Sequence, residues 1–488
     1  MNKKGVVYLV GAGPGRADLM TVRAKELLLK ADVVAYDALI SPTLLATIPP
    51  HAKLIPIGYR GYGSSKLGYN IHPLVIEMAK AGKNVVRLKS GDPFIFGRGY
   101  QECIALKEEG IDFEVVPGVS SSLGAASFAG FPLTHRDFAS DVVFASGHDL
   151  RGGSPSNSKW KPLAQTGGTI VIYMAASKIE ENCKRLIEHG RKPETPAIYI
   201  GAATCGNEII IQGTLENLSS KTTDINPKIQ ALIIVGEVIY SREHFDWRKK
   251  LPLRNKRIFV ARAREQKSEL ANSLRELGAD VLEAPFISSK FKKNVFLSEE
   301  LKKNKCILFS DPKTVDYFFD NLFELNCDIR ELIDHQLITL DEKTSFALGK
   351  RALQASCLHG HCKNALNKIP LPSEILILGG NRGRKSLIED LEKANIKSTY
   401  LSLYESEHTF PDIFPPEFDA AVFASSSSVK IVGESSWEKI LSCPLFTIGM
   451  KTTEEAKKYN PNITQASYDS IESLVECISE KLGEKHED

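Results

Sequence analysis

Charge of a single sign is what this sequence most clearly lacks. Of its 488 residues, 62 are basic and 60 are acidic, so the formal net charge is only +2. A nearly balanced charge with no long run of either sign gives no electrostatic footprint for nucleic acid and no polybasic membrane anchor. Uninterrupted apolar runs are also well short of the roughly 20 residues that cross a bilayer as a helix. We therefore expect small-molecule partners, no nucleic acid and no membrane.

Cysteine is scarce and scattered. Nine cysteines without CxxC spacing argue against a disulfide framework of the kind found in small secreted proteins. The basic start "MNKK" is followed by only five apolar residues before the first glycine-rich turn, which is too short for the core of a signal peptide. These features favour a reducing, cytoplasmic location.

One short segment concentrates soft metal ligands. "CLHGHC" places Cys357, His359, His361 and Cys362 within six residues. No second ligand pair follows at a familiar spacing, and four ligands so close along the chain cannot easily surround one zinc ion. We expect no bound metal.

Short apolar runs that alternate with amphipathic stretches are the main pattern present. "VVRLKSG", "GTIVIYM", "PAIYIG" and "ALIIVGEVI" are rich in Val and Ile, and "TVRAKELLLKA" has helical periodicity. This pattern predicts an α/β fold with largely buried strands. Charge and proline interrupt it between residues 241 and 257, where we place a domain boundary.

The second half contains a weak internal repeat. "IFVARAREQKSELANSLRELGADVLEAPF" is echoed by "ILILGGNRGRKSLIEDLEKANIKSTYLSLYE", and "CILFSDPKTVDYFF" by "AAVFASSSSVKIV". Two similar α/β lobes that face each other would form a cleft for a small ligand. Any two βαβ units look partly alike, however, so this pattern alone leaves the question open.

The first glycine-rich turn lies in "VVYLVGAGPGRADLM". Gly11, Gly13 and Gly15 let a ligand approach the main chain, and Asp37 lies about where a dinucleotide fold has its ribose ligand. An NAD-linked dehydrogenase is therefore one alternative. Pro14 argues against it, because proline removes an N–H that a pyrophosphate would use.

A second glycine-containing loop follows the strand in "VVRLKSGDPFIFGRGYQE". A plain dinucleotide fold does not need it, whereas two ligand loops on one α/β unit indicate a cleft. At this point the first half, residues 1–248, resembles a uroporphyrinogen-III C-methyltransferase of the tetrapyrrole methylase superfamily. The segments that carry the resemblance, in the family's order, are "GAGPG", "YDALIS", "RLKSGDPFIFGRG", "VPGVSSS", "PLTHRD", "YM" and "ALIIVGEVI".

The resemblance implies an N-terminal two-lobed methylase that binds S-adenosylmethionine and releases S-adenosylhomocysteine. The cofactor carries a sulfonium cation, an amino-acid end and an adenosine. Carbonyls, a carboxylate and apolar side chains suit it better than a phosphate-binding turn does. The cofactor contacts implied by matching motif positions are Pro14, Ser90, Gly91, Asp92, Ile95, Ser120, Ser121, Met174 and Ala203.

The implied reaction is the transfer of two methyl groups to uroporphyrinogen III, which gives precorrin-2. Deprotonation must accompany the attack and calls for a general base, and Asp37 matches the family's base. Ser41 is a better candidate than Asp37 to cap the next helix, which leaves Asp37 available. Tyr59 stands where relatives have a lysine that acts as proton donor, and we favour the interpretation that this lysine is dispensable.

The substrate carries eight carboxylates, so cationic groups should line its side of the cleft. Arg98, His135 and Arg136 lie in matching motifs and are the expected substrate ligands. The resemblance also implies a homodimer formed through the methyltransferase domain. Whether precorrin-2 continues to sirohaem or to cobalamin stays open.

The second half, residues 255–488, resembles uroporphyrinogen-III synthase, a bilobal α/β protein that cyclises hydroxymethylbilane. The resemblance implies one lobe from 255–290 with 405–488 and a second from 291–404. Tyr404 matches the family's best-known tyrosine, and Ser425 and Thr453 match its cleft positions.

The synthase half departs from its family in the turn "FSDPKTV", so a degenerate, non-catalytic synthase-like domain is the alternative there. We therefore expect a bifunctional tetrapyrrole enzyme. An NAD-linked dehydrogenase is the alternative from another class.

Overall fold

The computed structural model describes residues 4–49, 51–57, 70–148, 157–227, 229–263, 269–294, 296–358, 372–381, 383, 385–408 and 417–483. The chain divides into two compact units. Met1–Phe286 with Phe410–Asp488 form the larger unit, and Ile287–Thr409 form the smaller unit.

A five-stranded parallel sheet begins the larger unit. Its strands follow the order β3-β2-β4-β1-β5, so β1 and β4 are neighbours in the centre. Apolar side chains cover both faces, because successive residues of a strand point to opposite sides and both sides are packed against other elements. The strands are β1 (Val7–Gly11), β2 (Val33–Tyr36), β3 (Lys53–Pro56), β4 (Val85–Lys89) and β5 (Phe113–Val116).

Helix α1 shows why these sequences form these elements. The Thr21 side chain accepts a hydrogen bond of 3.2 Å from the backbone N–H of Ala24 and so caps the helix. Ala24, Leu27 and Leu28 are buried at helical spacing, which confirms the helix predicted from the sequence. The helices of this region are α1 (Val22–Lys30), α2 (Pro42–Leu45), α3 (Pro73–Lys80) and α4 (Gly99–Glu108).

A second five-stranded sheet follows, in the order β6-β7-β10-β8-β9. Strands β6 and β7 are parallel, while β10 runs antiparallel to both β7 and β8. The strands are β6 (Val142–Ser146), β7 (Thr169–Tyr173), β8 (Pro196–Gly201), β9 (Ile209–Thr214) and β10 (Ala231–Val235). The helices are α5 (Ser121–Ala129), α6 (Asn157–Gln165), α7 (Ile179–Glu188), α8 (Leu218–Lys221) and α9 (Arg242–Phe245).

The segment predicted as a domain boundary is folded rather than extended. Helix α9 and a 3-10 turn, Trp247–Lys250, lie within it. Arg248 donates to Glu208 across 2.6 Å, and both side chains are buried. At least one charged residue of the predicted domain boundary, Arg248, is therefore buried.

The remaining strands of the larger unit pair in the order β12-β11-β18-β19-β20, and the last four are parallel. Their apolar side chains pack against helices α10 and α17 in a core of their own. The strands are β11 (Arg257–Ala263), β12 (Asp280–Phe291), β18 (Ala420–Phe423), β19 (Leu445–Thr447) and β20 (Ile463–Gln465). The helices are α10 (Glu269–Glu276), α15 (Ser426–Gly433), α16 (Met450–Ala456) and α17 (Ile471–Leu482).

The smaller unit has strands in the order β15-β14-β13-β16-β17, with the end of β12 antiparallel to β17. Its strands are β13 (Cys306–Phe309), β14 (Gln336–Thr339), β15 (Ser356–Cys357), β16 (Glu374–Gly380) and β17 (Lys397–His408). Its helices are α11 (Leu297–Lys303), α12 (Pro312–Glu324), α13 (Glu342–Gly349) and α14 (Lys385–Lys393).

The internal repeat predicted from the sequence is present as matching elements. Strand–helix–strand runs as β11-α10-β12 in one copy and as β16-α14-β17 in the other, and β13-α12 corresponds to β18-α15. Among the helices of the described residues, none is long and apolar enough to cross a membrane.

Candidate active site

The two glycine-containing loops lie against each other. The backbone N–H of Gly91 donates to the carbonyl of Gly13 across 2.9 Å, and Gly13 N–H donates to the carbonyl of Gly91 across 3.2 Å. Both residues have positive φ, +77° and +65° for Gly13 and Gly91 respectively, a conformation that glycine adopts without a Cβ penalty. The turn after β1 and the loop after β4 therefore form one structure.

Asp92 ties this loop to the segment after β5. Its carboxylate accepts hydrogen bonds from the backbone N–H groups of Phe94, at 2.9 Å, and Gly118, at 3.1 Å. Gly118 belongs to "VPGVSSS", the fourth segment of the resemblance. Three motifs that are far apart in sequence are thus held by one carboxylate and a backbone bridge.

The start of α5 adds two of the predicted cofactor residues. Ser120 occupies the N-cap position of α5 and Ser121 its first turn, and a Cβ on Gly91 would lie 3.6 Å from the backbone nitrogen of Ser121. The Ser120 hydroxyl is within 2.7 Å of the Tyr173 hydroxyl, at the end of β7. Tyr173 also donates to Ser122 across 2.6 Å, so the second sheet is joined to the same site.

Two apolar residues beside Tyr173 have strained backbones. Met174 has φ of +56° and Phe96 has φ of +49°, values that are uncommon for residues with a side chain. Phe96 packs on the Tyr173 ring at 4.7 Å between centroids, and Met174 is 48% exposed. Ile95, next to Phe96, is also exposed. Strain and exposed apolar surface at one place are typical of ligand sites.

The loop after β8 completes this group. A Cβ on Gly15 would lie 2.6 Å from the Cys205 sulfur and 3.0 Å from the Ala203 carbonyl oxygen, so only glycine fits there. On the other face of the turn, a Cβ on Gly124 would lie 2.5 Å from Pro14 Cβ. Pro14 and Ala203 therefore lie close to the same turn.

A buried network holds the loop after β8 in a strained form. Ala202 and Thr204 both have positive φ, +46° and +67°. The Thr204 N–H donates to Glu208 across 2.8 Å, and Glu208 accepts from Arg248 across 2.6 Å. Arg16 adds a backbone N–H donated to the Thr204 hydroxyl across 3.3 Å.

Asp37 lies at the end of β2, which is paired with β4. Its Oδ1 accepts a hydrogen bond of 2.5 Å from Nη2 of Arg87, and the Lys89 ammonium lies 4.0 Å from its Oδ2. Arg87 and Lys89 are also paired with Glu102, each at 2.9 Å. The predicted base is therefore fixed by a buried guanidinium and remains partly exposed, with 23% of its side chain accessible.

Ser41 occupies the N-cap position of α2, as predicted. Its hydroxyl is 2.5 Å from the Thr43 hydroxyl and makes no capping bond to the helix backbone.

The expected substrate ligands lie in two loops. Arg98 is exposed and directly precedes α4. His135 stacks on Phe138 at 4.6 Å between centroids, and its Nδ1 accepts from the backbone N–H of Asp137 across 3.1 Å. Arg136 is exposed beside it. A cationic side chain is accessible in each loop.

Two predictions concern residues outside the described part of the chain. Tyr59 is one, and His359, His361 and Cys362 of the candidate metal cluster are the others. Cys357 is described and is half-buried in β15. Within the described ranges, no group of three or more His, Cys, Asp or Glu side chains could hold a metal ion.

Tyr404 is buried in the smaller unit. Its hydroxyl donates to Oδ2 of Asp311 across 3.0 Å, and its ring packs on Tyr317 at 5.1 Å between centroids. Asp311 also caps α12 by accepting from the Thr314 N–H across 3.0 Å. Asp311 lies in the turn that departs from the synthase pattern. Its carboxylate accepts the hydrogen bond of Tyr404, the residue that matches the pattern.

Ser425 lies at the start of α15 and Thr453 lies within α16, both in the larger unit. Ser425 caps α15 by accepting from the Ser428 N–H across 3.3 Å. Thr453 is buried, and its hydroxyl is within 2.7 Å of Thr447 and 2.8 Å of Gln465. The hydroxyl of Thr453 is thus engaged inside the protein, while that of Ser425 is at a helix end.

Sequence reasoning missed the charges behind Asp37. Arg87 and Lys89 stand two residues apart in an otherwise apolar strand, and this placement puts them on one face. Two cations on one face of a buried strand were the sequence feature that could have indicated a buried acidic partner. Glu102 could not have been paired with them from the sequence, because α4 is brought to β4 only by the fold.

The residues at the loops suit a sulfonium-bearing nucleoside. Carbonyl-rich turns at Gly13 and Gly91 offer acceptors, Asp92 offers a carboxylate, and Met174 with Ile95 offers accessible apolar surface. The backbone N–H groups of Gly13 and Gly91 are each donated to the other residue's carbonyl, so they are not offered to a pyrophosphate, which binds such groups in dinucleotide folds. The donor set therefore fits S-adenosylmethionine.

Comparison with known proteins gives the family. Residues 6–219 match tetrapyrrole (corrin/porphyrin) methylases, and residues 268–476 match the uroporphyrinogen-III synthase HemD. A porphyrin biosynthesis protein HemD of Ruminiclostridium josui is 32% identical over 98% of this chain and 98% of its own length. A uroporphyrinogen-III C-methyltransferase of Bacillus subtilis is 33% identical over 82% of this chain and 80% of its own.

A solved structure covers the first half. The uroporphyrin-III C-methyltransferase of Thermus thermophilus, crystallised with S-adenosylhomocysteine, is 37% identical, with a TM-score of 0.43. The match covers 48% of this chain and 99% of that one. The tetrapyrrole methylase match makes S-adenosylmethionine the cofactor of the first half, and the two relatives align along most of the chain. The chain therefore belongs to the uroporphyrinogen-III C-methyltransferases of the tetrapyrrole methylase family, here joined to a uroporphyrinogen-III synthase domain.

Proposed function

We propose that the chain methylates uroporphyrinogen III twice to give precorrin-2, and that it also cyclises hydroxymethylbilane to uroporphyrinogen III. The observation that carries the first activity is the position of Asp37. Its carboxylate stands at the end of β2, fixed by Arg87, beside the strand that leads into the Ser90–Asp92 loop. The second activity would supply the substrate of the first.

The cofactor site in this proposal uses the loops joined by Gly13 and Gly91. Their backbone bridge and the exposed Met174 support a pocket with carbonyl acceptors on one side and an apolar wall on the other. The proposed contacts are Pro14, Ser90, Gly91, Asp92, Ile95, Ser120, Ser121, Met174 and Ala203.

S-adenosylmethionine supplies an electrophilic methyl group on its sulfonium. The residues of this chain hold the pyrrole carbon in line with that methyl group, and such positioning supplies much of the rate. When the new C–C bond forms, the tetrapyrrole gains a positive charge and must lose a proton. The Asp37 carboxylate takes this proton, since it is oriented by Arg87 and partly open to the site.

Substrate recognition in this proposal depends on cations. The eight carboxylates of the tetrapyrrole meet Arg98, His135 and Arg136, which lie in accessible loops. Bidentate contacts from an arginine would also orient the ring that is to be methylated.

The proposed synthase residues are Tyr404, Ser425 and Thr453. Tyr404 is favoured because its hydroxyl is held by Asp311 rather than only packed. The alternative is a synthase-like domain without activity, which the engaged hydroxyl of Thr453 favours.

One experiment tests both activities on the full chain. Hydroxymethylbilane is supplied with S-adenosylmethionine, and the products are separated by porphyrin isomer and by the number of added methyl groups. We expect type III product carrying two methyl groups. Exclusively type I product would contradict the synthase, and an unmethylated product from added uroporphyrinogen III would contradict the methyltransferase.

Two variants make the test specific. Asp37→Asn should abolish methylation and leave cyclisation intact, whereas Tyr404→Phe should slow cyclisation and leave methylation of added uroporphyrinogen III intact. Each variant is the control for the other. Loss of both activities in either variant would indicate misfolding and would not support these roles.

Three further features belong to the proposal. The methyltransferase is assigned to residues 1–248, and the synthase to 255–488 with lobes 255–290 plus 405–488 and 291–404.

A homodimer through the methyltransferase domain is proposed, and sedimentation analysis of the full chain would test it. The cytoplasm is the proposed location, which the free thiols of the described cysteines support.

A further inference from the structure

Four charges form a cluster in which only one member is accessible. The side chains of Arg87, Lys89 and Glu102 are 6%, 7% and 6% exposed, whereas Asp37 is 23% exposed. Two cations and two carboxylates cancel in net charge. Three buried charges therefore stand behind one carboxylate that opens to the site.

Burying these charges costs desolvation free energy, so we expect the cluster to have a role besides stability. Burying ions carries a desolvation penalty, and well-packed apolar residues of similar volume are often as stabilising as a buried ion pair. If stability were the only role, Arg87 and Glu102 could pair alone at 2.9 Å. Lys89 adds a second cation, which forms an ion pair with Glu102 and lies within Coulomb range of Asp37.

The two cations act differently on Asp37. Arg87 touches it at 2.5 Å and fixes the direction of its Oδ1. Lys89 lies 4.0 Å from Oδ2, too far for a hydrogen bond, so it acts through its charge. The Lys89 chain also runs beneath the turn at Gly97, where a Cβ would lie 3.7 Å from its Cε.

Two titratable groups among the described residues interact with this cluster, and both are uncharged near pH 7. Burial and then the charge of Arg87 lower the pKa of His72, which caps α3. Burial and then the charge of Glu102 raise the pKa of Cys103, on α4. Neither His72 nor Cys103 therefore adds a charge to that of Arg87, Lys89 and Glu102 at neutral pH.

We propose that Lys89, held by Glu102, is a positioning residue for methylation that keeps the Asp37 carboxylate ionised and ready to take the substrate's proton. The inference rests on the proposed function, since it needs Asp37 as the base. Lys89 touches neither reacting atom in this proposal. Tyr59 supplies no positive charge at neutral pH, whereas Lys89 supplies one beside the base.

The test is the pH dependence of kcat/KM for methylation of uroporphyrinogen III by the full chain. Lys89→Met removes a cation near Asp37, so its carboxylate ionises less readily and the acid limb should move to higher pH by about one unit. Glu102→Gln removes an anion, so the acid limb should move to lower pH. A merely structural role would lower the rate in both variants without opposite shifts of the limb.

Lys89→Arg is the matched control, because it keeps the charge and should leave the acid limb where it is. S-adenosylhomocysteine affinity, measured by calorimetry, should be unchanged in all variants. If Lys89→Met does not fold, the double variant Lys89→Met with Glu102→Gln keeps the charge balance, and its limb should lie between those expected for the two single variants.

The outcomes separate this inference from the proposed function. Methyl transfer with acid limbs that do not move, or that move in the same direction, would overturn the inference alone. A wild-type chain that binds S-adenosylhomocysteine and transfers no methyl group would overturn the proposed function and the inference with it.

Discussion

Asp280, at the start of β12, accepts a hydrogen bond of 2.9 Å from the backbone N–H of Gly206, in the loop that follows β8. Asp280 lies in the synthase half of the sequence, and Gly206 lies in the methyltransferase half, three residues after Ala203. A Cβ on Gly206 would lie 2.9 Å from Arg257 Cβ and 3.0 Å from Asp280 Cβ. Within the larger unit, Arg257 and Asp280 therefore pack against the candidate cofactor loop.

Asp280→Ala should lower both stability and cofactor affinity. The change leaves the Gly206 N–H without its acceptor and Arg257 without its partner at 3.1 Å, so the free energy of unfolding should fall by about 3 kcal/mol. S-adenosylhomocysteine should bind more weakly, because the loop that carries Ala203 loses one of its anchors. Urea unfolding and calorimetry measure the two effects.

Asp419→Ala is the matched control for Asp280. Asp419 accepts from the Arg257 backbone N–H across 2.7 Å, whereas Asp280 accepts from the Gly206 loop, so stability should fall by about 1 kcal/mol with unchanged cofactor affinity. Equal cofactor affinities in the two variants would contradict an anchoring role for Asp280.

Alkaline pH should destabilise the fold through its buried thiols. Burial raises the pKa of Cys183 to about 12, and burial with the charge of Asp280 raises the pKa of Cys205 to about 12. Below pH 9 both states keep these protons, and above it the unfolded state loses them first. The stabilisation is therefore lost as pH rises from about 9 towards about 12.

Urea unfolding between pH 8 and pH 10.5 measures this effect. Cys183→Ala should flatten the decline relative to wild type, because the variant has one fewer thiol to ionise on unfolding. A decline of the same steepness in the variant would exclude Cys183 as a source of the pH dependence.

Tyr59→Phe should retain methylation within a few-fold of wild type. A general acid or base contributes about 10²- to 10⁴-fold to rate, so a phenol that carried the proton would reveal itself by a loss of that size. The prediction follows from an ammonium at Lys89 beside the base. Initial rates with uroporphyrinogen III measure this, and a hundredfold loss of rate would show that Tyr59 takes part in catalysis.

Asp311→Asn should slow cyclisation about tenfold, the worth of one hydrogen bond to a charged group. Asparagine still caps α12 well, so the helix should persist while Tyr404 loses its charged partner. The rate of type III product formation measures the change. If Asp311→Asn and Tyr404→Phe act as a pair, the double variant should be no slower than Tyr404→Phe alone; additive losses would contradict pairing.

Much of the fold could be predicted from local pattern. Helix α1 follows from Thr21 and the apolar spacing of Ala24, Leu27 and Leu28, and β4 follows from an apolar run ended by glycine. These elements depend on periodicity, which is written in neighbouring residues.

The parts that could not be predicted depend on contacts between distant residues. Asp37 and Arg87 are 50 residues apart, and Arg248 of the predicted boundary segment pairs with Glu208, which lies 40 residues earlier in the chain. In a sequence each of these side chains looks like an ordinary solvated charge. Only the packing of β2, β4 and α4 shows that the charges at Asp37 are paired and enclosed.

The most direct measurement is a count of methyl groups transferred from isotope-labelled S-adenosylmethionine to uroporphyrinogen III by the full chain, alongside Asp37→Asn. Wild type should add two labelled methyl groups per tetrapyrrole. Asp37→Asn should add none, although the variant still binds S-adenosylhomocysteine. Two labelled methyl groups at an undiminished rate in Asp37→Asn, or none in wild type, would contradict the proposed function.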